Sequence, residues 1–410
     1  MIGLPTSKDK CTGCGACVNI CPQKALILDD GNSFFEYPQV NQDLCIDCAL
    51  CTKTCPSNKD IKSTYPKKAF AVVSKDKNDR DSSATGGASS VLVNSVLEQG
   101  GIAYGCEEVD YKTIAHTRIV NLDESYRLKG SKYVQSYIGS TYSQVKDDLN
   151  KGVLVIFTGT PCQIAGLKSF LRKDYPNLFL VEIICFGNVA IHFLINHVNY
   201  LCTKYSIDNS NVQVYFRQKG DTTADLRYGT FLYRNNKILK AFYSPDDGYH
   251  FGFRQGYYLR ENCFHCRYSK HERCADITIG DFWGLGVNSK LNEYRNVSVV
   301  LLNTEKGIGL FEKAKHKFII EERPLSEAFK NPHFNSPASK PNDWDDLRKD
   351  YSEYGYEYMF NKHIKPAIRR FKIHEITHGF IGLFVLLIKK LRSSILIVLS
   401  FVIKRRGDLS

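Results

Sequence analysis

The chain has 410 residues, 43% of them hydrophobic and 24% charged, a composition that can bury ordinary globular cores in two or three domains. Its net charge of +12 is concentrated at one end, because residues 361–410 hold eleven Lys and Arg against only Glu375 and Asp408. The rest of the chain is therefore close to neutral, which argues against a nucleic-acid partner.

Fifteen cysteines are the unusual feature of the composition. The first residues, MIGLPTSKDKCTGC, contain no apolar signal segment, so we expect a cytoplasmic, reducing location. In that environment clustered cysteines indicate metal or redox chemistry more often than disulfides.

Residues 1–62 form the first predicted domain, which contains the spacing C-x2-C-x2-C-x3-C-P twice. This is the run found in bacterial ferredoxins, in which the fourth cysteine of each run binds the cluster of the other run. The repeat therefore predicts two 4Fe–4S clusters with crossed ligands. The expected ligands are Cys11, Cys14, Cys17 and Cys55 for the first cluster, and Cys45, Cys48, Cys51 and Cys21 for the second.

The next two segments, 66–150 and 151–340, alternate between strand-like and helix-like patterns. The clearest stretch runs from the buried strand GVLVIFTG through the helix PCQIAGLKSFLRKDY to the buried strand LFLVEIIC, which predicts a parallel βαβ unit. Two half-exposed strands follow, with a hairpin turn at Asn235-Asn236, and SVVLLNT predicts one more core strand. The predicted fold class is α+β and multi-domain: a ferredoxin-like domain, an α/β domain with a largely parallel sheet, and a helical basic tail.

The tail, residues 341–410, ends in GFIGLFVLLIKKLRSSILIVLSFVIKRRG. Lys389, Lys390 and Arg392 divide its apolar residues into runs shorter than the roughly 20 residues of a spanning helix. Two interpretations remain open: a helix that packs on the body or on another protomer, and an interfacial helix on an anionic membrane surface.

Three further cysteines, Cys263, Cys266 and Cys274, are close in sequence and predict a third 4Fe–4S cluster. Its fourth ligand would be Cys162 or Cys185, because both follow predicted strands and should lie at the carboxyl edge of the sheet. Zinc bound with His265 or His271 is an alternative. The other is that these cysteines are packing residues, the role that we expect for Cys106 and Cys202.

A loop between a predicted strand and a predicted helix has the composition of a phosphate-binding turn. Ser82, Ser83, Thr85, Gly86 and Gly87 can present backbone N–H groups and hydroxyls to a phosphate. An ordinary capped turn before a helix has the same composition, so that interpretation stays open.

Five stretches occur in an order that resembles the coenzyme F420 hydrogenase/dehydrogenase beta-subunit family, in its form with an N-terminal ferredoxin domain. They are SSATGGASSVLVNSVLEQGGIAYG, LKGSKYVQSYIGSTYSQVKDDL, LVIFTGTPCQIAGLKSFL, EIICFG and CFHCRYSKHERCADITIGDFWG, and the resemblance covers about residues 1–305. It implies an FAD site, iron–sulfur clusters, and exchange of two electrons with coenzyme F420 or another organic substrate.

The resemblance strengthens the phosphate interpretation of the Ser82–Gly87 loop. It also points to Lys132, in GSKY, as a charge for phosphate or flavin, and to Asp281, in ADITIGDFWG, as a cofactor-lining carboxylate. The chain departs from the family at Phe186, where members often carry His, and His192 and His250 are candidate substitutes.

Two functions of different classes follow. The first is a flavin-dependent iron–sulfur oxidoreductase that joins a ferredoxin or other redox protein to an organic two-electron substrate. The second is an electron-transfer subunit that needs a catalytic partner and has no substrate of its own. The catalytic residues are not identified by the sequence. In its interfacial interpretation, the tail adds a peripheral contact with the inner face of the membrane.

Overall fold

The computed structural model describes residues 5–29, 35–219, 226–294 and 296–377. Among these residues the strands are β1 (Leu26–Asp29), β2 (Tyr37–Val40), β3 (Lys68–Ser74), β4 (Ile102–Asp110), β5 (Thr113–Ile119), β6 (Val155–Gly159), β7 (Leu178–Ile183), β8 (Gln213–Lys219), β9 (Leu226–Arg234), β10 (Lys237–Tyr243), β11 (Ile277–Asp281), β12 (Ser298–Leu302) and β13 (Phe318–Arg323). The α-helices are α1 (Ala16–Ile20), α2 (Leu50–Thr54), α3 (Lys77–Ser82), α4 (Ala88–Leu97), α5 (Thr141–Asn150), α6 (Pro161–Leu171), α7 (Ile191–Lys204), α8 (Gly248–Arg254), α9 (Glu305–Ala314), α10 (Leu325–Ala328) and α11 (Trp344–Met359).

The largest sheet has eight strands in the order β13-β3-β12-β11-β7-β6-β4-β5. Its inner strands β11, β7, β6 and β4 are parallel to one another, as the βαβ pattern predicted. The flanking pairs are antiparallel, so the sheet is mixed and the expectation of a largely parallel sheet was wrong at both edges. At one edge the reason is local: only Tyr111 and Lys112 join β4 to β5, and so short a connection permits only an antiparallel pair.

Both faces of this sheet are covered. On one face alternate residues such as Val72, Ile156 and Val300 pack against α4 and α9. On the other, Val155 and Phe157 of β6 pack against α5 and α6. Strands of a sheet that is covered on both faces are nearly continuous runs of apolar residues. β12 is such a strand, and it is buried along its whole length.

A second sheet has the order β10-β9-β8. The turn between β9 and β10 has positive φ values at Asn235 and Asn236 (49° and 61°), which the primed hairpin turns require, so the predicted turn is confirmed.

Helix α11 packs on the body. Trp344 is fully buried, and His197 Nδ1 lies 2.6 Å from the Tyr356 hydroxyl. No helix within residues 5–377, as far as they are described, is long and apolar enough to cross a membrane. The apolar and basic part of the predicted tail, residues 378–410, lies outside the described residues.

The cysteine-rich start contains α1, α2 and the β1–β2 hairpin, and it rests directly on the body. Asn19 Nδ2 donates to the Gly139 carbonyl (2.7 Å), and the Ser169 hydroxyl of α6 donates to the Thr54 carbonyl. Helix α6 therefore carries contacts to both halves of the ferredoxin-type repeat.

Candidate functional site: three cysteine clusters beside a large cavity

The predicted ligands of the second cluster surround a small cavity in the structure. Cys45, Cys48 and Cys51 line it together with Cys21, which comes from the other run of the repeat. The crossed set predicted from the spacing is thus brought to one place by the pairing of α1 with α2.

The four cysteines of the first predicted cluster are also neighbours. Burial raises the pKa of Cys17 well above its usual value, and the thiols of Cys14, Cys11 and Cys55 act in the same direction. Burial also raises the pKa of Cys14 to about 12. Iron binds thiolates, so a cluster at this site would displace the thiol protons as it assembles.

A cavity at the predicted third cluster, which we name the four-cysteine cavity, is lined by four cysteines from three segments. Cys162 lies in the first turn of α6, and Cys185 follows β7. Cys263 lies in the short 3-10 helix Glu261–His265, and Cys266 follows this helix directly. Burial raises the pKa of Cys162 to about 11 and of Cys263 to about 12. The structure therefore groups both candidate fourth ligands with Cys263 and Cys266.

Cys274 does not line this cavity. Its thiol donates to Oε2 of Glu182 (3.0 Å), a fully buried carboxylate that also forms an ion pair with Arg273 and accepts from Thr278. The side chain that the spacing grouped with Cys263 and Cys266 is thus held in a different polar cluster.

The structure gives no support to the zinc alternative in the parts of the chain that it describes. There, no three His, Cys, Asp or Glu side chains are placed to hold a single metal ion. Zinc requires ligand atoms about 2.0–2.3 Å from one centre, whereas a four-iron cluster holds its thiolates farther apart. His265 and His271 do not line the four-cysteine cavity, and His271 stacks on Phe329.

A cavity of about 750 Å³ opens at the carboxyl edge of the large sheet. Five of the residues predicted to contact a cofactor line it: Ser83, Thr85, Gly87, Lys132 and Asp281. The other two do not line it: Ser82 is exposed at the end of α3, and Gly86 is buried in the loop. Most of the loop therefore borders the large cavity, and its contact with a phosphate stays a prediction.

Gly86 is required by the packing of its loop. A Cβ at this position would lie 2.5 Å from the Val72 carbonyl, and the Gly86 N–H donates to the Ser298 hydroxyl (3.0 Å). The Ser82 hydroxyl donates to the Asn78 carbonyl (2.8 Å). Ser83 differs, because its buried hydroxyl has no hydrogen-bond partner among the described residues. A buried hydroxyl left in this state is costly unless a bound group completes it.

Two lysines line the cavity beside this loop. Lys129 Nζ lies 2.6 Å from Oδ1 of Asp79 and 2.9 Å from the Ser82 hydroxyl. Lys132 Nζ donates to the carbonyls of Lys129 (2.6 Å) and Cys106 (3.0 Å). The sequence pointed to Lys132 and missed Lys129, although both lie in one short stretch. Asp79 offsets the charge of Lys129, so it is the charge of Lys132, with the N-terminus of α4, that favours an anion at this end of the cavity.

Asp281 is held by an arginine that the sequence did not indicate. The guanidinium of Arg217, on β8, makes two bonds of 2.9 Å to its carboxylate and a third of 2.6 Å to the hydroxyl of Tyr133. All three residues line the cavity. The carboxylate is therefore neutralised by a two-pronged ion pair, and its contact with a ligand would be shared with Arg217.

A neutral hydrogen-bonded wall closes another side of the cavity. His116 Nε2 lies 2.9 Å from the Thr158 carbonyl and Nδ1 lies 2.8 Å from the Ser136 hydroxyl, which accepts from Gln163 Nε2 (2.9 Å). Burial lowers the pKa of His116 to about 4, so the ring is uncharged at neutral pH.

The two histidines suggested as substitutes for the family's His are in different places. His250 lines the cavity, its Nδ1 has no partner among the described residues, and burial lowers its pKa to about 4. His192 lies outside the cavity against Phe193 and Tyr351. Phe186 itself lines the cavity.

The large cavity and the four-cysteine cavity share one wall, formed by residues 184–188 and His333. On its other side the four-cysteine cavity approaches the ferredoxin-type repeat through α6. Cys162 lies in the first turn of this helix, and a Cβ at Gly166 would lie 3.0 Å from Cys14 Sγ. The cysteine clusters and the large cavity therefore follow one another without an intervening domain.

These features define an iron–sulfur electron-transfer protein. Residues 10–59 match the model of the 4Fe-4S dicluster domain. Residues 153–328 match the model that describes the C terminus of the beta subunit in coenzyme F420 hydrogenase/dehydrogenase. The predicted resemblance to the F420 hydrogenase/dehydrogenase beta-subunit family is thus confirmed over residues 153–328, with a match to a dicluster domain before them.

One solved structure that this chain is similar to is a chain of the F420-reducing NiFe hydrogenase complex from Methanosarcina barkeri, in a xenon derivative. It is 18% identical, covers 73% of this chain and 91% of its own, and has a TM-score of 0.40, a likeness too low to support an argument about function. No curated protein matches the chain.

Proposed function

We propose that the protein is a flavin-dependent iron–sulfur oxidoreductase. Electrons from a ferredoxin or other redox protein would enter the N-terminal clusters and serve the two-electron conversion of coenzyme F420 or another organic substrate in the large cavity. The observation that carries this proposal is the wall shared by the large cavity and the four-cysteine cavity.

The residues of the cavity fit a flavin dinucleotide. The volume of about 750 Å³ lies within the range of small-molecule sites, roughly 300–1,000 Å³. The loop around Ser83, with Lys129, Lys132 and the N-terminus of α4, would hold the phosphates. When bound, flavin supplies the conversion between single electrons and electron pairs. The chain's own residues bind it, orient it and exclude water.

The third cluster is part of the same proposal, with a revised ligand set. We assign it to Cys162, Cys185, Cys263 and Cys266, the four cysteines that line one cavity. Cys274 is assigned to the buried polar cluster around Glu182. Both candidate fourth ligands are then used.

Protein purified without oxygen tests the flavin site directly. Heat denaturation should release a yellow cofactor whose absorption spectrum and mass are those of FAD. Ser83→Ala and Lys129→Met should each weaken its retention on dilution, while Lys313→Met, which removes an exposed lysine bonded to Gln99 far along the chain, is the matched control. Release of no flavin from protein with its full iron content would refute this part.

The enzyme and the subunit hypotheses differ in one measurement. An oxidoreductase with its own substrate should have its flavin reduced by a deazaflavin or nicotinamide donor. An electron-transfer subunit should show clusters that dithionite reduces, without turnover of either compound. The family match of residues 153–328 is compatible with both, so this measurement decides between them.

A further inference from the structure

Arg260 is a buried cation at the junction of the ferredoxin-type repeat and the body. Only 1% of its surface is exposed. Its Nε donates to the Cys11 carbonyl (2.9 Å), and its terminal nitrogen donates to the Glu36 carbonyl. The guanidinium also lies over the rings of Phe35 and Tyr37, at 5.2 and 4.8 Å from their centroids.

No carboxylate forms an ion pair with Arg260 anywhere in residues 5–29, 35–219, 226–294 and 296–377. Arg273, which is almost as buried, shows the usual solution, since the fully buried carboxylate of Glu182 neutralises it. A charge removed from water is costly unless an opposite charge compensates it. Carbonyl dipoles and aromatic rings compensate Arg260 only in part.

The Cys11 loop lies against this cation, whose charge also opposes the rise in the pKa of Cys162 and Cys263 in the four-cysteine cavity. A Cβ at Gly13, between Cys11 and Cys14, would lie 3.0 Å from the guanidinium of Arg260, so the cation is in contact with the loop that presents these thiols. The backbone N–H of Cys263 also bonds to the Arg260 carbonyl (2.8 Å). A four-iron cluster held by four thiolates is anionic and becomes more so on reduction.

We propose that Arg260 is the fixed counter-charge of the first iron–sulfur cluster, and that it raises the reduction potential of this cluster. The inference rests on the assignment of Cys11, Cys14, Cys17 and Cys55 to one cluster. A buried positive charge stabilises the reduced form more than the oxidised form, because the reduced form carries one more negative charge. It also favours transfer of an electron from the second cluster to the first.

The test is a redox titration of the reconstituted full-length protein, followed by electron paramagnetic resonance. Arg260→Met should lower the midpoint potential of the first cluster so that, at one ambient potential, its reduced-to-oxidised ratio falls about tenfold, which is about 59 mV for a one-electron couple. Arg260→Lys keeps the charge and should stay near the native potential. The second cluster, which has its own cavity, should shift less and serves as the internal reference.

Gln135→Met is the matched control for loop position. Its amide donates to the Thr12 and Gly13 carbonyls (3.0 Å each), so it fastens the same loop without a charge. A potential that falls equally in Gln135→Met and Arg260→Met, or that stays native in Arg260→Met, would overturn the inference. If Arg260→Met does not assemble the first cluster, the lysine variant decides: a native potential supports the charge, and a lowered one shows that only the bonds to the carbonyls matter.

The iron and flavin contents of the same samples separate this inference from the proposed function. Absence of flavin in the native protein would refute the flavin site and leave the potentials of the two N-terminal clusters interpretable.

Discussion

Replacement of Cys274 by alanine distinguishes the two possible ligand sets of the third cluster. Filled sites in all three cysteine groups give about twelve iron atoms per chain, and loss of one cluster gives about eight. Cys185→Ala and Cys162→Ala should each lower the iron content to about eight, since both thiols line the four-cysteine cavity. Cys274→Ala should retain about twelve.

The stability of the same variants gives an independent magnitude. Cys274→Ala removes a thiol that donates to the buried carboxylate of Glu182, a hydrogen bond to a charged group worth about 1.5–3 kcal/mol. Arg273 and Thr278 both bond to Oε1 of Glu182, so the variant leaves the buried Oε2 without the Cys274 donor, and the loss should fall near the upper end of that range. Cys274→Ala should therefore cost stability without costing iron.

Iron and sulfide are measured after anaerobic reconstitution, with unfolding followed by circular dichroism in urea. Cys202→Ala is the control, because Cys202 is buried in the core around α7 and lines neither of the two cysteine-lined cavities. If Cys274→Ala loses four iron atoms while Cys185→Ala keeps twelve, the assignment from the cavity is wrong and the spacing in the sequence was the better guide.

Gly87 has φ +91°, and a Cβ there would lie 3.1 Å from Oδ2 of Asp79. Gly87→Ala should therefore lower the free energy of unfolding by about 1–2 kcal/mol because of the left-handed conformation, and further because of crowding against Asp79. Gly130→Ala, with φ +84° and open space around it, should cost only the former, and equal urea midpoints for the two variants would contradict this reasoning. Asp281→Asn leaves the mostly buried cation of Arg217 without its counter-charge and should cost about 3–5 kcal/mol, with weaker flavin retention; unchanged unfolding would show that the pair is solvated. Because the folded pKa of His116 is lowered to about 4, the unfolded chain binds the extra proton first as pH falls below about 6.5, so stability should decrease toward pH 4 by up to about 1.4 kcal/mol per unit. A His116→Gln variant whose stability falls as steeply would assign that loss to other groups. Removal of residues 378–410 should leave iron and flavin contents unchanged and weaken binding to anionic vesicles by about 1 kcal/mol per Lys or Arg near the surface, an effect that added salt should reduce; equal vesicle binding would favour a tail that packs on protein.

The parts of the fold predicted correctly are those with local causes. The βαβ unit from β6 to β7 was predicted because two short apolar runs flank a helix that begins at Pro161, and the hairpin because Asn235-Asn236 accepts positive φ. The strand directions at the edge of the large sheet were not predicted. There β3 lies between β12 and β13, which follow it by more than 200 residues, and no local pattern specifies such pairing.

The candidate site divides in the same way. The cysteine repeats and the Ser83 loop can be identified from spacing, since their geometry is contained in a few consecutive residues. Arg217 cannot, because its pairing with Asp281 depends on how β8 packs against the end of β11. The hydrogen bond between Cys274 and Glu182 could not be predicted either, because Glu182 is a single polar residue within an apolar strand and nothing near it in sequence indicates its partner.

With the proposed cluster in the four-cysteine cavity, the wall of residues 184–188 would make ligand occupancy and electron affinity mutually dependent. A molecule in the large cavity that binds tenfold more tightly when the neighbouring four-cysteine site has gained an electron must, by reciprocity, raise the midpoint potential of that site by about 59 mV. Reduction of the neighbouring site would then become more favourable only after such a molecule has bound. Voltammetry with and without candidate compounds can therefore rank them by their effect on the potential before any product is known.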